Sequence, residues 1–107
     1  MQFEIEKGIL KHYTGSDMHL VIPDNAKIIG KSAFADCREL VSVIVSSGTS
    51  RISGNAFENC ISLESITIPS KVKVLGKDIF QNCRKLKYIL VSGNPEDMKA
   101  HGWLAMP

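Results

Sequence analysis

Apolar residues return along this chain at a fixed interval of 23 positions. Cys37, Cys60 and Cys83 keep that step, and so do Phe34, Phe57 and Phe80. Leu40, Leu63 and Leu86 follow, then Val43, Ile66 and Ile89, then Val45, Ile68 and Val91. Ile29, Ile52 and Leu75 form a further column, as do Ala33, Ala56 and Ile79. Leu20 and Ile22 extend the strand positions backwards, and Pro23 and Pro69 share a column with Ser46. So many columns in phase mark an internal repeat, which has to be recognised before any single element is assigned.

Within one unit the apolar spacing predicts two elements. Leu40/Val43/Val45, Leu63/Ile66/Ile68 and Leu86/Ile89/Val91 end in an in-out-in alternation, which predicts a short β-strand with one buried face. The Ala-Phe-x-x-Cys segment spaces its apolar residues by three to four, which predicts a single helical or 3₁₀ turn. Gly30 and Gly76, with Ser53-Gly54 between them, punctuate the bend where the chain reverses. One such coil cannot bury its apolar side alone, but stacked coils cover one another. Neighbouring strands would then lie about 4.8 Å apart in a parallel sheet. Phe34, Phe57 and Phe80 would form one ladder, Cys37, Cys60 and Cys83 a second, and Leu40, Leu63 and Leu86 a third.

A stack needs caps, because an open end exposes core and unpaired strand edge. Residues 1–16 read as an N-terminal hairpin cap: Phe3 to Glu6 alternates, Lys7-Gly8 turns, and Ile9 to Tyr13 pairs back. Thr14 to Asp17 then lead into the 23-residue repeats, spanning 17–91. Residues 92–107 read as a helical cap, with Asn94 as N-cap, Pro95 at N1, Glu96 and Asp97 in the first turn and Gly102 as the stop. Trp103 and Met98 are expected over Phe80 and Leu86. With both caps, residues 1–107 are expected to form one complete folding unit.

These residues resemble the BspA-type leucine-rich repeats, also called the Treponema pallidum type. The most specific stretches are Ile29 to Cys37 and Phe57 to Pro69, and Gly8 to Gly15 leading to Val21-Ile22-Pro23 looks like that family's N-terminal cap. A 23-residue period also falls inside the range of about 20–29 for leucine-rich repeats. The resemblance implies a repeat solenoid: a right-handed coil with a parallel sheet on one side and helical or 3₁₀ turns on the other. It also implies surface or secreted proteins of host-associated bacteria, some of them adhesins for host proteins. It implies no catalytic residues. Family members are often much longer than this chain.

Composition narrows the function classes. The chain has 107 residues, of which 44% are hydrophobic and 22% charged. That is too apolar and too evenly charged for a disordered tail. The longest apolar runs, Tyr88 to Val91 and Trp103 to Met106, are far below the ~20 residues of a spanning helix, so no membrane insertion is expected. A net charge of +2 does not argue for nucleic acid. The start, Met1 to Glu6, is acidic and has no apolar leader segment. Two compartments stay open on that reading: the cytoplasm, or the surface as part of a longer exported chain.

The cysteines lack the close pairing of a metal site and have no histidine column beside them, so they read as a ladder of buried, inert thiols. Stacking would bring their Cα atoms within disulfide range, while parallel side-chain vectors disfavour a bridge. Gly30-Lys31-Ser32 looks like the end of a phosphate loop, but Asn25 stands where that motif needs glycine. His12, His19 and His101 are scattered and form no triad pattern. Lys27 and Lys73, Lys31 and Lys77, and Arg38 and Arg84 share columns that the middle coil breaks with Ser50, Gly54 and Ile61. No catalytic, cofactor or metal residue is assigned.

The outward strand positions are the sharpest lead. They form two columns, His19/Ser42/Ser65/Tyr88 and Val21/Ile44/Thr67/Leu90, and the second is mostly apolar although it should face solvent. An exposed apolar stripe marks a partner or self-association site, whereas β-propensity explains the same residues without one. The expected function is a non-catalytic protein-binding module whose partner is another protein or a second copy of itself. The rivals are a structural or self-associating repeat unit and an enzyme.

Overall fold

The computed structural model describes residues 2–92. Among them are nine strands and no helix: β1 (Phe3–Glu6), β2 (Ile9–Tyr13), β3 (His19–Val21), β4 (Ile28–Ile29), β5 (Ser42–Ile44), β6 (Arg51–Ile52), β7 (Ser65–Pro69), β8 (Val74–Leu75) and β9 (Tyr88–Ser92). The repeat becomes a stack of coils because every coil has the same length. Equal length sets each strand beside its counterpart in exact 23-residue register: His19 pairs with Ser42, Ser42 with Ser65, and Ser65 with Tyr88. These parallel pairs build one sheet in the order β3-β5-β7-β9.

A second sheet, absent from the sequence reading, closes the other side in the order β1-β2-β4-β6-β8. Ile29, Ile52 and Leu75 stand in the expected core column, but each also belongs to a two-residue strand. Two residues are too few to show an alternation, so the pattern reads as a bend.

The N-terminal hairpin forms because Lys7 and Gly8 both take positive φ, 54° and 81°. Two such residues in a row make the turn whose twist matches the flanking strands. β1 and β2 pair antiparallel, Glu6 opposite Ile9. β2 then pairs parallel with β4, setting Leu10 beside Ile29. That step is shorter than the repeat, which hid it from column matching. The C-terminal helical cap lies outside the described residues.

The Ala-Phe-x-x-Cys segments are not helical or 3₁₀ turns, which corrects the expectation. A 3₁₀ turn would spend every amide inside its own coil. Here alternate amides cross to the next coil instead: Phe34 N donates to Ala56 O at 2.8 Å and Asp36 N to Glu58 O at 2.8 Å. The amides between them, Ala35 and Cys37, close local turns onto Ser32 and Phe34. Positive φ at Ser32, Asp36, Asn55, Asn59, Asp78 and Asn82 turns the peptides this way. Asn and Asp tolerate the left-handed region better than other non-glycine residues, so these polar columns are set by the backbone.

The core lies between the two sheets and the turns. Phe34, Phe57, Leu40 and Leu63 are buried there. Phe34 stacks on Phe57 with centroids 4.9 Å apart, and Phe57 on Phe80 at 6.0 Å. The ladder runs on through Tyr13 and Phe3 in the hairpin, at 5.3 and 5.2 Å. Such pairs each contribute about 0.5–1.5 kcal/mol beyond their burial. Thr49 and Ser70 are the buried polar residues, and the Thr49 hydroxyl donates to Ala26 O at 2.7 Å. That bond offsets the cost of burying the group.

Candidate functional site

Alternation along β3, β5, β7 and β9 divides their side chains between core and solvent. Leu20, Val43 and Ile66 point inward and are buried, and Ile89 packs against them. His19, Val21, Ile44, Tyr88 and Leu90 are exposed, while Ser42, Ser65 and Thr67 are half-exposed. Parallel pairing in register brings all eight together on one face. Val21, Ile44, Tyr88 and Leu90 are 63, 49, 60 and 52% exposed.

Val21 also borders a hollow of about 320 Å³ that sequence reasoning missed, lined by Phe3, Ile5, Val21, Pro23 and Asn25. It lies where the hairpin extends the β1-β2-β4-β6-β8 sheet while the outer edge of β3 in the other sheet stays unpaired. No column could reveal it, because Phe3 and Ile5 precede the repeat.

On the same face, His19 Nδ1 lies 2.7 Å from Ser42 Oγ. A serine–histidine contact becomes a nucleophile only when a third group orients the ring and donors await an oxyanion. Among the described residues no carboxylate hydrogen-bonds this imidazole, so the contact reads as a link between neighbouring strands.

The cysteine column is buried only at its centre. Cys60 is buried, whereas Cys37 and Cys83 are half-exposed because they occupy the outer coils. All three are free thiols. Cys60 Sγ donates to Phe34 O and Cys83 Sγ to Phe57 O, each at 3.1 Å. The contact with Cys83 and its burial push the Cys60 thiol up, away from thiolate. Burial, with Glu39 and Asp36 nearby, pushes Cys37 up to about 11. A nucleophilic cysteine needs the opposite shift, and of the three only Cys83 is drawn down, by its contact with Cys60 and against the effect of burial. Among the described residues no cluster of three or more metal-ligating side chains occurs. Nor is any helix among them long and apolar enough to cross a membrane.

On the turn segments, the left-handed column makes a polar ladder. Asn59 Nδ2 donates to Asp36 Oδ1 at 2.9 Å, and Asn82 Nδ2 donates to Asn59 Oδ1 at 2.8 Å. Each asparagine amide donates to the side chain one coil before it, so the ladder ties coils together.

With this geometry the comparisons with known proteins agree. A family model described as the BspA type leucine rich repeat region (6 copies) matches residues 4–102. The chain is similar to the crystal structure of a leucine-rich repeat protein from Eubacterium ventriosum, with a TM-score of 0.75 and 27% identity. That match covers 82% of this chain and 24% of the other. A leucine rich cell surface protein from Faecalibacterium prausnitzii is similar in fold, with a TM-score of 0.50 and 23% identity over 92% of this chain and 39% of that one. The chain therefore spans less than half the length of either structure. No curated protein matches it.

Proposed function

The chain belongs to the BspA-type leucine-rich repeat family, and from that premise we propose that it is a non-catalytic protein-binding module working through its β3-β5-β7-β9 face. The partner is a protein met at a bacterial surface, the setting that the resemblance implies. The observation that carries this reading is the exposed apolar set Val21, Ile44, Tyr88 and Leu90 on one sheet. Sheet faces of repeat stacks suit extended partners, since each coil offers the same positions again. Interfaces are anchored by aromatic and apolar side chains within a polar surround. Tyr88 and Leu90 supply such anchors, while His19, Ser42, Ser65 and Thr67 supply hydrogen-bonding groups. The hollow beside Val21 extends the face at its N-terminal end.

The test is comparative capture from extracts of host and bacterial surfaces. Ile44→Glu combined with Leu90→Glu should keep the fold, because both side chains already meet solvent, and should lower capture at least several-fold. Lys31→Glu, on the turn side, should capture like the wild type. Equal capture by all three chains would remove the sheet face as the binding site.

A further inference from the structure

We propose that the outer edge of β3 docks a short extended segment of a partner protein, which adds to the β3-β5-β7-β9 sheet as a further strand. That segment brings an apolar side chain for the hollow beside Val21 and a lysine or arginine for the carboxylates that flank β3. In a parallel ladder, alternate residues of a strand bond to the same neighbour. Ile22 N donates to Ile44 O, and Met18 O accepts from Ser42 N. The even positions along β3 therefore face β5, and the N–H and C=O groups of His19 and Val21 face away from it. β3 ends its sheet, so no strand among the described residues meets those groups. A row of unpaired backbone groups is a template for an added strand.

The two sheets also stop at different levels. β3 and β4 follow one another within one 23-residue unit, and β2 and β1 carry the β4 sheet two strands further. At a strand spacing of about 4.8 Å, the step beside β3 is about 10 Å deep. The hollow of about 320 Å³ lies in that step, with Phe3 and Ile5 on the hairpin side and Val21, Pro23 and Asn25 on the other. That volume falls within the range of about 300–1,000 Å³ typical of ligand pockets. The end strand of the other sheet is guarded: β1 has a register shift between Glu4 and Ile5 and carries two glutamates. Bulges and charges both deter an added strand. β3, His19–Val21, has neither, and Pro23 limits the docking edge to a short segment.

Charge selects the occupant. Residues 13–26 include Asp17 and Asp24, one before β3 and one after it, and no lysine or arginine. Both carboxylates are exposed. Lys11 on the hairpin is already paired with Glu6 at 2.7 Å. An extended segment with a cation beside its apolar residues meets both features, and complementary charge favours encounter and fixes register. This edge goes beyond the sheet-face reading and stands without it, because it uses the backbone of β3 where the face uses side chains as far away as Leu90.

The probe is a phage-displayed library of random short peptides, panned on the full chain. Enriched peptides should carry apolar residues at alternate positions and a lysine or arginine. Added to the isotope-labelled chain, such a peptide should slow hydrogen exchange at the His19 and Val21 amides at least several-fold. Val21→Pro removes one outward amide, a change that an edge strand tolerates, and should weaken peptide binding at least several-fold. Asp24→Lys should weaken it too, while Leu90→Glu should leave it unchanged. The exchange measurement uses the wild-type chain, so it decides the matter even if Val21→Pro fails to fold. The proposal is overturned by no enrichment over an unrelated protein, or by bound peptides that leave exchange at His19 and Val21 unchanged. It is also overturned by equal binding to Asp24→Lys, by binding lost in Leu90→Glu, or by exchange that slows with protein concentration alone, as a second copy would cause.

Discussion

Asn59 shows how much one side chain can carry in a repeat. It sits at φ 62°, accepts from Asn82 and donates to Asp36. Replacing it by alanine removes both bonds and leaves a Cβ-bearing residue without a local partner in a region that costs about 1–2 kcal/mol. Asn59→Ala should therefore lose about 1–2 kcal/mol in urea denaturation, and Asn59→Gly should lose less. Equal losses would mean that the ladder, and not the backbone, fixes asparagine there. Phe57 lies between two stacked rings and is fully buried. Phe57→Ala should cost about 3–5 kcal/mol, and a negligible loss would contradict the stacked core. The thiols give a pH-dependent check. With Cys37 pushed up to about 11, its thiolate fraction at pH 8 is small. Iodoacetamide should modify it slowly at pH 8 and progressively faster up to about pH 11, while Cys60 stays protected in the native chain. Rapid labelling of Cys37 at pH 8 would contradict that environment.

Among the elements, legibility followed length and period. The strands of the β3-β5-β7-β9 sheet could be read because Val43, Ile66 and Ile89 recur in step with Val45, Ile68 and Val91 two residues further on. Lys7-Gly8 could be read as a turn because glycine accepts positive φ at little cost. The two-residue strands β4, β6 and β8 could not, since a pair of residues shows no periodicity. The turn segments misled for a physical reason. Apolar spacing reports which side chains face the core and is silent on where the amides go. The signal that could have found the true geometry was the polar columns Ser32/Asn55/Asp78 and Asp36/Asn59/Asn82, which mark left-handed residues. Tyr13 escaped the aromatic ladder because it stands outside the 23-residue step, although its ring lies 5.3 Å from Phe34.

As a whole molecule, the chain is a short stack with unlike ends and unlike faces. The hairpin forms one end of the β1-β2-β4-β6-β8 sheet, and an apolar groove lined by Ile68, Leu75 and Phe80 lies at the last described coil. The turns carry a polar ladder that ties coils together, and the β3-β5-β7-β9 sheet carries an apolar stripe. The eight outward positions were legible because register and alternation fix them. The hollow beside Val21 was not, since it depends on how the hairpin meets the first coil. The measurement that bears most directly on the binding-face reading is site-specific photo-cross-linking. A benzophenone side chain would replace Ile44 on the sheet face or Lys31 on the turn side, with surface extract as the target. The account predicts adducts to a foreign protein from position 44 and none from position 31. Adducts of equal yield from both positions, or an adduct at 44 with twice the mass of this chain, would contradict it.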